Sequence, residues 1–152
     1  MAISAVNTLR LVRIERDGSL GNRRRVAESI QKICRTGAEY FQKVGFRTPW
    51  VGYLAFDGND CVGACGFKGA PENQTVEISY GTFAPHRGQG YATAMVQCLI
   101  ELAKETDPEV TIKAQTEPQR GASARVLTKT GFIHIGETTH PEDGVVWEWR
   151  LL

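Results

Sequence analysis

A chain of 152 residues can bury roughly two thirds of its unfolded surface, so a single domain over residues 1–152 needs neither a disulfide nor a metal staple. With 41% hydrophobic and 23% charged residues the composition is globular, and no apolar run approaches the roughly 18 residues that span a bilayer; a soluble, non-membrane protein is expected. Eighteen basic residues against seventeen acidic ones leave a net charge of +1, too little field to hold nucleic acid or an anionic membrane, so any anion site must be local.

The strand pattern begins at Leu9–Ile14, where leucine, isoleucine or valine alternates with arginine until Asp17-Gly18 turns the chain. From Asn22 to about Lys43, Val26, Ile30, Ile33, Cys34, Ala38 and Phe41 recur at helical spacing, with Gly37 predicted to break the run into two helices and Gly45 to end the second. The arginines 23–25 at its start read as a solvated helical face, or as an attractor for an acidic acceptor or RNA. Trp50–Phe56 and Cys61–Phe67 form a hairpin about Asp57-Gly58-Asn59-Asp60, and Thr75–Phe83 pairs back onto it to make an antiparallel meander. Gln89–Lys104 carries one apolar stripe, Ala92, Met95, Val96, Leu99, Ile100 and Ala103, at spacings of three and four. A strand over Glu109–Gln115, a short helix over Ser123–Lys129 closed by Gly131, and two strands around Asp143-Gly144 complete the chain. Antiparallel strands followed by a strand reached through a helix predict an α+β (mixed α/β) fold, with a parallel pair flanking the Gln89–Lys104 helix.

Cys34, Cys61, Cys65 and Cys98 sit in apolar stretches, and Met1-Ala2-Ile3-Ser4 lacks the features of a signal peptide, so a cytoplasmic setting is expected. Cys61 and Cys65 are not spaced as a CxxC pair, and only His86, His134 and His140 are there to assist them; no metal is expected.

The chemistry concentrates in Pro85-His86-Arg87-Gly88-Gln89-Gly90-Tyr91-Ala92-Thr93, where a strand ends, glycines turn the chain, and a helix starts with its first amides unpaired. Gly88 and Gly90 remove side chains that would hold a phosphate away, the helix dipole adds roughly half a positive charge, and Arg87 adds a charged donor. A diphosphate suits such a loop. A glycine pair alone is more often a plain tight turn. A dinucleotide fold fits poorly, because Thr93 stands where GxGxxG needs its last glycine and a meander precedes the loop; a P-loop would need Gly-Lys-Ser or Gly-Lys-Thr.

Arg87, Gly90 and Ala92, preceded by Val76-Glu77-Ile78-Ser79-Tyr80-Gly81-Thr82-Phe83 and followed by Ser123-Ala124-Arg125-Val126-Leu127-Thr128-Lys129-Thr130-Gly131-Phe132, resemble the GNAT superfamily of N-acetyltransferases over about residues 8–151. The later stretch is similar to the branch that includes ribosomal-protein N-terminal acetyltransferases. The resemblance implies a mixed, largely antiparallel sheet of about seven strands with helices on both faces. It further implies that the strand before the loop bulges and splays from its neighbour, so that the pantetheine arm of acetyl-CoA meets Phe83 and Ala84. The diphosphate then falls to Arg87, Gly88, Gln89, Gly90, Tyr91, Ala92 and Thr93.

Glu77 resembles the glutamate that many GNAT enzymes use as general base, directly or through water; as a residue of an alternating strand it is equally an ordinary surface or hydrogen-bonded glutamate. The family's usual proton donor, a tyrosine of the last helix, corresponds to Leu127, which cannot donate. Ser123 is the nearest hydroxyl, competing with a helix-capping role, and Tyr80 is a second candidate; Arg120 replaces a frequent asparagine and points to a coenzyme phosphate or to the surface. The expected function is acetyl transfer from acetyl-CoA to a primary amine, a small molecule or a protein N-terminus, docking near the N-terminal helices and the Asp143-Gly144 turn. The rival is an inactive coenzyme A-binding regulatory or interaction domain, raised by Leu127. A homodimer is common in the family.

Overall fold

A computed structural model describes residues 8–152. Its strands β1 (Leu9–Arg13), β2 (Gly52–Asp57), β3 (Asp60–Phe67), β4 (Thr75–Thr82), β5 (Thr111–Thr116), β6 (Ile133–His140) and β7 (Gly144–Leu151) form one sheet in the order β1-β2-β3-β4-β5-β7-β6. Every neighbouring pair is antiparallel except β4 with β5, the parallel pair expected around the motif helix. The helices are α1 (Glu28–Val44), α2 (Tyr91–Thr106) and α3 (Ala122–Lys129) among the described residues.

Strand alternation divides the core between the two faces. On β2, Leu54 and Phe56 pack with Cys34 of α1, whereas Tyr53 and Ala55 join the larger cluster containing Met95, Val96 and Leu99 of α2. Helices therefore cover both faces, as the resemblance implied.

Two expectations fail in α1. The helix is continuous through Gly37, because a single glycine costs only about 1 kcal/mol against alanine and the apolar face on either side of it stays in register. It also begins at Glu28 and not at Asn22. The segment before it is tied down elsewhere: the Arg24 amide donates to Asn22 Oδ1, Arg23 has φ 57°, and the Arg24 guanidinium donates to the Gly58 carbonyl and Asn59 Oδ1 across the β2–β3 turn. The arginine run precedes the helix, and its central member serves the hairpin.

Glycines let the central strands approach closely. A Cβ at Gly66 would stand 2.6 Å from the Val51 carbonyl oxygen and 2.8 Å from Gly52 Cα, both backbone atoms that cannot swing away. Gly66→Ala is expected to cost about 2–3 kcal/mol and to lower Tm by about 5–10 °C. Gly37→Ala, helical and with open space around the new methyl, should raise stability by up to about 1 kcal/mol. Paired thermal melts check both signs.

Candidate active site

The β4–β5 pairing lasts for three residues, Thr75↔Thr111, Val76↔Ile112 and Glu77↔Lys113, although β4 continues to Thr82 and β5 to Thr116. Beyond Glu77 the sheet forks, leaving backbone donors and acceptors of both strands without ladder partners. The splay is as expected; the bulge is not, since β3–β4 register runs unbroken from Phe67↔Ile78 to Gly63↔Thr82.

At the end of β4 the chain makes a 3-10 turn, Ala84–His86, and enters α2 through Gly88 (φ 79°) and Gly90 (φ 86°), left-handed conformations that favour glycine. Gly90 is the N-cap of α2, with no capping side chain and no acidic residue in the first turn. The Tyr91, Ala92 and Thr93 amides thus lack partners within the helix and face an uncompensated dipole end.

A cleft of ≈600 Å³ opens there. Its walls are Tyr80, Gly81 and Thr82 of β4, the loop with His86, Arg87, Gly88 and Gly90, the first turn Tyr91–Thr93, and Ala122, Ser123, Arg125, Val126 and Lys129 of α3. Three permanent cations, Arg87, Arg125 and Lys129, line it together with His86, and no aspartate or glutamate does. The positive potential that overall charge does not supply is concentrated in one place.

Of the residues singled out in the sequence, Tyr80, Arg87, Gly88, Gly90, Tyr91, Ala92, Thr93 and Ser123 meet in this cleft; Phe83, Ala84, Gln89 and Arg120 do not line it. The Arg120 guanidinium lies 6.0 Å from the centre of the Trp147 ring. His86, Arg125 and Lys129 were missed. The last two lie four apart on α3, on the face opposite buried Ala124 and Leu127, a spacing visible in the sequence. Leu127 is fully buried in the core. Ser123 makes no capping hydrogen bond, since Gly121 holds the N-cap position.

Tyr91 turns its ring inward and its phenol donates to Asp57 Oδ2, 2.5 Å away, tying the loop to the β2–β3 hairpin. Asp57 also accepts from the Thr8 hydroxyl at 2.6 Å, and these two hydrogen bonds, Thr8's the stronger influence, hold its carboxyl below the usual carboxylate range. A carboxylate with a depressed native pKa stabilises the fold above its unfolded value, about 3.9, and loses that contribution as pH falls through the native value. Tyr91→Phe should therefore lower Tm by a few degrees at neutral pH and by almost nothing once Asp57 is protonated, as melts across an acid series would show.

Tyr80 stands where this cleft meets a second one of ≈820 Å³, walled by Ile33, Gly37 and Tyr40 of α1, Cys65 and Phe67 of β3, and the turn from His140 to Asp143. Burial pushes its pKa up to about 12, so the phenol stays protonated at neutral pH; its one hydrogen-bond partner among the described residues, the Ser123 carbonyl, is at a long 3.3 Å. In the same turn His140 Nδ1 accepts the amides of Glu142 and Asp143, at 3.1 and 3.2 Å, which places the ring's proton on Nε2 when neutral.

Glu77 faces a third cleft, of ≈710 Å³, which shares Tyr40, Lys68 and His140 with the second. Its carboxylate is three-quarters or more buried, with Lys68 Nζ at 2.8 Å and Lys113 Nζ at 3.8 Å. The Lys68 approach is a charge contact outside hydrogen-bonding directions, so Oε2 keeps an unused acceptor. Glu77 is thus separate from the basic cleft and sits where the sheet forks. Among the described residues no group of three or more His, Cys, Asp or Glu gathers as a metal site.

The model of the acetyltransferase (GNAT) domain matches residues 11–133, and the chain belongs to that family. Similar solved structures share the fold. An aminoglycoside acetyltransferase, AAC(6')-Ib, in complex with ribostamycin and coenzyme A, is 24% identical with a TM-score of 0.57 over 66% of this chain; the match spans 62% of that protein, less than two thirds of its length. An acetyl transferase from Salmonella typhimurium that modifies the N-terminal serine of ribosomal protein L7/L12 is 16% identical, with a TM-score of 0.67 over 99% of this chain and 98% of its own. A spermidine N-acetyltransferase chimera from Vibrio cholerae is 12% identical, with a TM-score of 0.68 and 95% of each chain covered. No curated protein sequence matches this one.

Proposed function

We propose that this protein transfers an acetyl group from acetyl-CoA to a primary amine. The observation that carries the reading is the acid-free cleft at the α2 N-terminus, where unpaired amides and Arg87, Arg125 and Lys129 converge beside a forked sheet. Family membership, and structural neighbours whose names describe acetylation of aminoglycosides, a protein N-terminus and spermidine, support it.

In this reading Gly88, Gly90 and the Tyr91–Thr93 amides hold the diphosphate, with Gln89 on the outer side of the loop. Arg87, Arg125 and Lys129 neutralise the remaining phosphate charge, and Arg120, over Trp147, adds to the field from outside the cleft. Backbone groups of β4 through Phe83 and Ala84 accept the pantetheine arm along the fork. Acetyl-CoA supplies the acyl group as a thioester. Glu77 takes the proton of the incoming amine through water, since the basic cleft does not include it. Tyr80, protonated and loosely held, donates to the departing thiolate, and the Ser123 carbonyl aims its phenol. Leu127 then gives no ground for an inactive coenzyme A-binding domain, because a different phenol reaches the same cleft.

Tyr80→Phe should lower kcat about 100-fold with little change in KM for acetyl-CoA. Steady-state kinetics on both substrates check it; an unchanged kcat assigns the proton to another group. Thiol release from acetyl-CoA over a panel of amines, N-terminal peptides and aminoglycosides tests the function, and coenzyme A binding without release from any of them would favour the inactive domain.

One sheet running from Leu9 to Leu151 supports reading the chain as a single domain. Four free cysteines fit a cytoplasmic setting, and no helix among the described residues is long and apolar enough to cross a membrane. A homodimer would form at β6, one of the two edge strands, where Ile133 and Ile135 are exposed.

A further inference from the structure

The clefts on the acceptor side differ in charge. The second is largely apolar and aromatic, with Glu142 and Asp143 at its turn. The third carries Arg47, Lys68, Lys113 and Arg150 against only Glu72 and Glu77. Glu77 is already engaged by Lys68 and Lys113. Arg47 and Arg150 make no ion pair among the described residues, and Arg150 Nε is buried without a hydrogen-bond partner. Two arginines that line one cleft without a carboxylate partner suit a ligand that brings acceptor oxygens.

We infer that the acceptor is an amine carrying an anionic group, a carboxylate or a phosphate, and that Arg47 and Arg150 hold that group while the amine reaches the fork beside Glu77. This rests on the amine-acetylating reading above. Arg150 pairs with Lys113, and Lys113 pairs with Glu77, so Arg150 stands two strands away from the base. At about 4.8 Å per strand the two backbones are about 10 Å apart, and the amine and the anion are separated by several bonds. The same charges oppose polycations. An aminoglycoside or polyamine would bring ammonium groups against Arg47 and Arg150, and like charges in a partly desolvated cleft repel strongly.

The test is thiol release from acetyl-CoA with matched acceptors: an ω-amino acid against its amide, an aminoalkyl phosphate against the amino alcohol, and spermidine and kanamycin as polycations. At least one anionic acceptor should exceed its neutral partner about tenfold or more in kcat/KM, the pair with the larger ratio naming the group. Arg150→Gln and Arg47→Gln should each move that ratio toward one. Ratios near one in the native protein, ratios unchanged in both variants, or a preference for polycations would overturn the proposal. Calorimetric titration of the same acceptors into coenzyme A-saturated protein separates the two readings. Arginine-dependent binding of the anionic acceptor without any thiol release would uphold the anion site and defeat the transferase assignment. Transfer to neutral and anionic acceptors alike would do the reverse.

Discussion

Gly90→Asp should abolish measurable coenzyme A binding while leaving the protein folded. Gly90 is the N-cap of α2, next to the amides proposed to hold the diphosphate, and no acidic group now stands in the first helical turn. A carboxylate about 5 Å from a phosphate charge costs about 3 kcal/mol per charge pair at an effective dielectric of about 20, which alone lowers affinity by two to three orders of magnitude. Two effects on the free protein oppose each other. The left-handed φ of 86° penalises most residues with a Cβ by about 1–2 kcal/mol, and aspartate is one of the few that enter this region readily. Tm should therefore move by only a few degrees. Gly90→Ala separates strain from charge, since it carries the first without the second and should lose far less affinity. Calorimetry on both variants decides the matter, and unchanged affinity in Gly90→Asp would remove the anion-loop assignment.

Glu77→Gln should reduce kcat/KM about 100-fold or more near neutral pH, the usual scale for a lost general base. The distinguishing readout is its pH dependence. A primary amine arrives mostly protonated until the pH nears its own pKa, about 10 for an alkylamine and about 8 for a protein N-terminus, so the deficit should shrink as the pH climbs and the acceptor deprotonates without help. Glu77 also offsets Lys68 and Lys113, and the variant leaves both lysines facing an uncharged amide. If that structural role were the whole of it, the loss would be the same at every pH and would track a lower Tm. A pH profile to about 10 beside thermal melts tells the two apart.

Much of this architecture is local enough to read from the sequence. The β2–β3 hairpin is written in Asp57-Gly58-Asn59-Asp60, where Gly58 takes the positive φ that the turn needs, and the α2 stripe is written in the spacing of Met95, Val96 and Leu99. The resemblance carried the forked sheet. What the sequence did not disclose depends on contacts between distant segments. The start of α1 shifted because Arg24 found the hairpin turn, thirty-odd residues away. Lys68, Glu77 and Lys113 come together only through the registers of β3, β4 and β5, which no single strand encodes. Arg125 and Lys129 lay on the side of a short helix that helical spacing marks as non-core, but whether that side met solvent or a ligand depended on where the loop from Arg87 to Gly90 would lie.

The fork after Glu77 and Lys113 also bears on the order of events. The basic cleft meets the apolar one at Tyr80, and the apolar one shares Tyr40, Lys68 and His140 with the cleft of Glu77, so in the proposed reading donor and acceptor would approach from separate sides and neither would have to leave to admit the other. Cys65, the thiol that lines the apolar cleft, is buried and held protonated by that burial, which would make it a poor temporary carrier of an acetyl group. If the proposed acetyl transfer holds, it should therefore run directly between the two bound substrates, with initial-rate lines that intersect instead of running parallel, and the two products would depart through different doors.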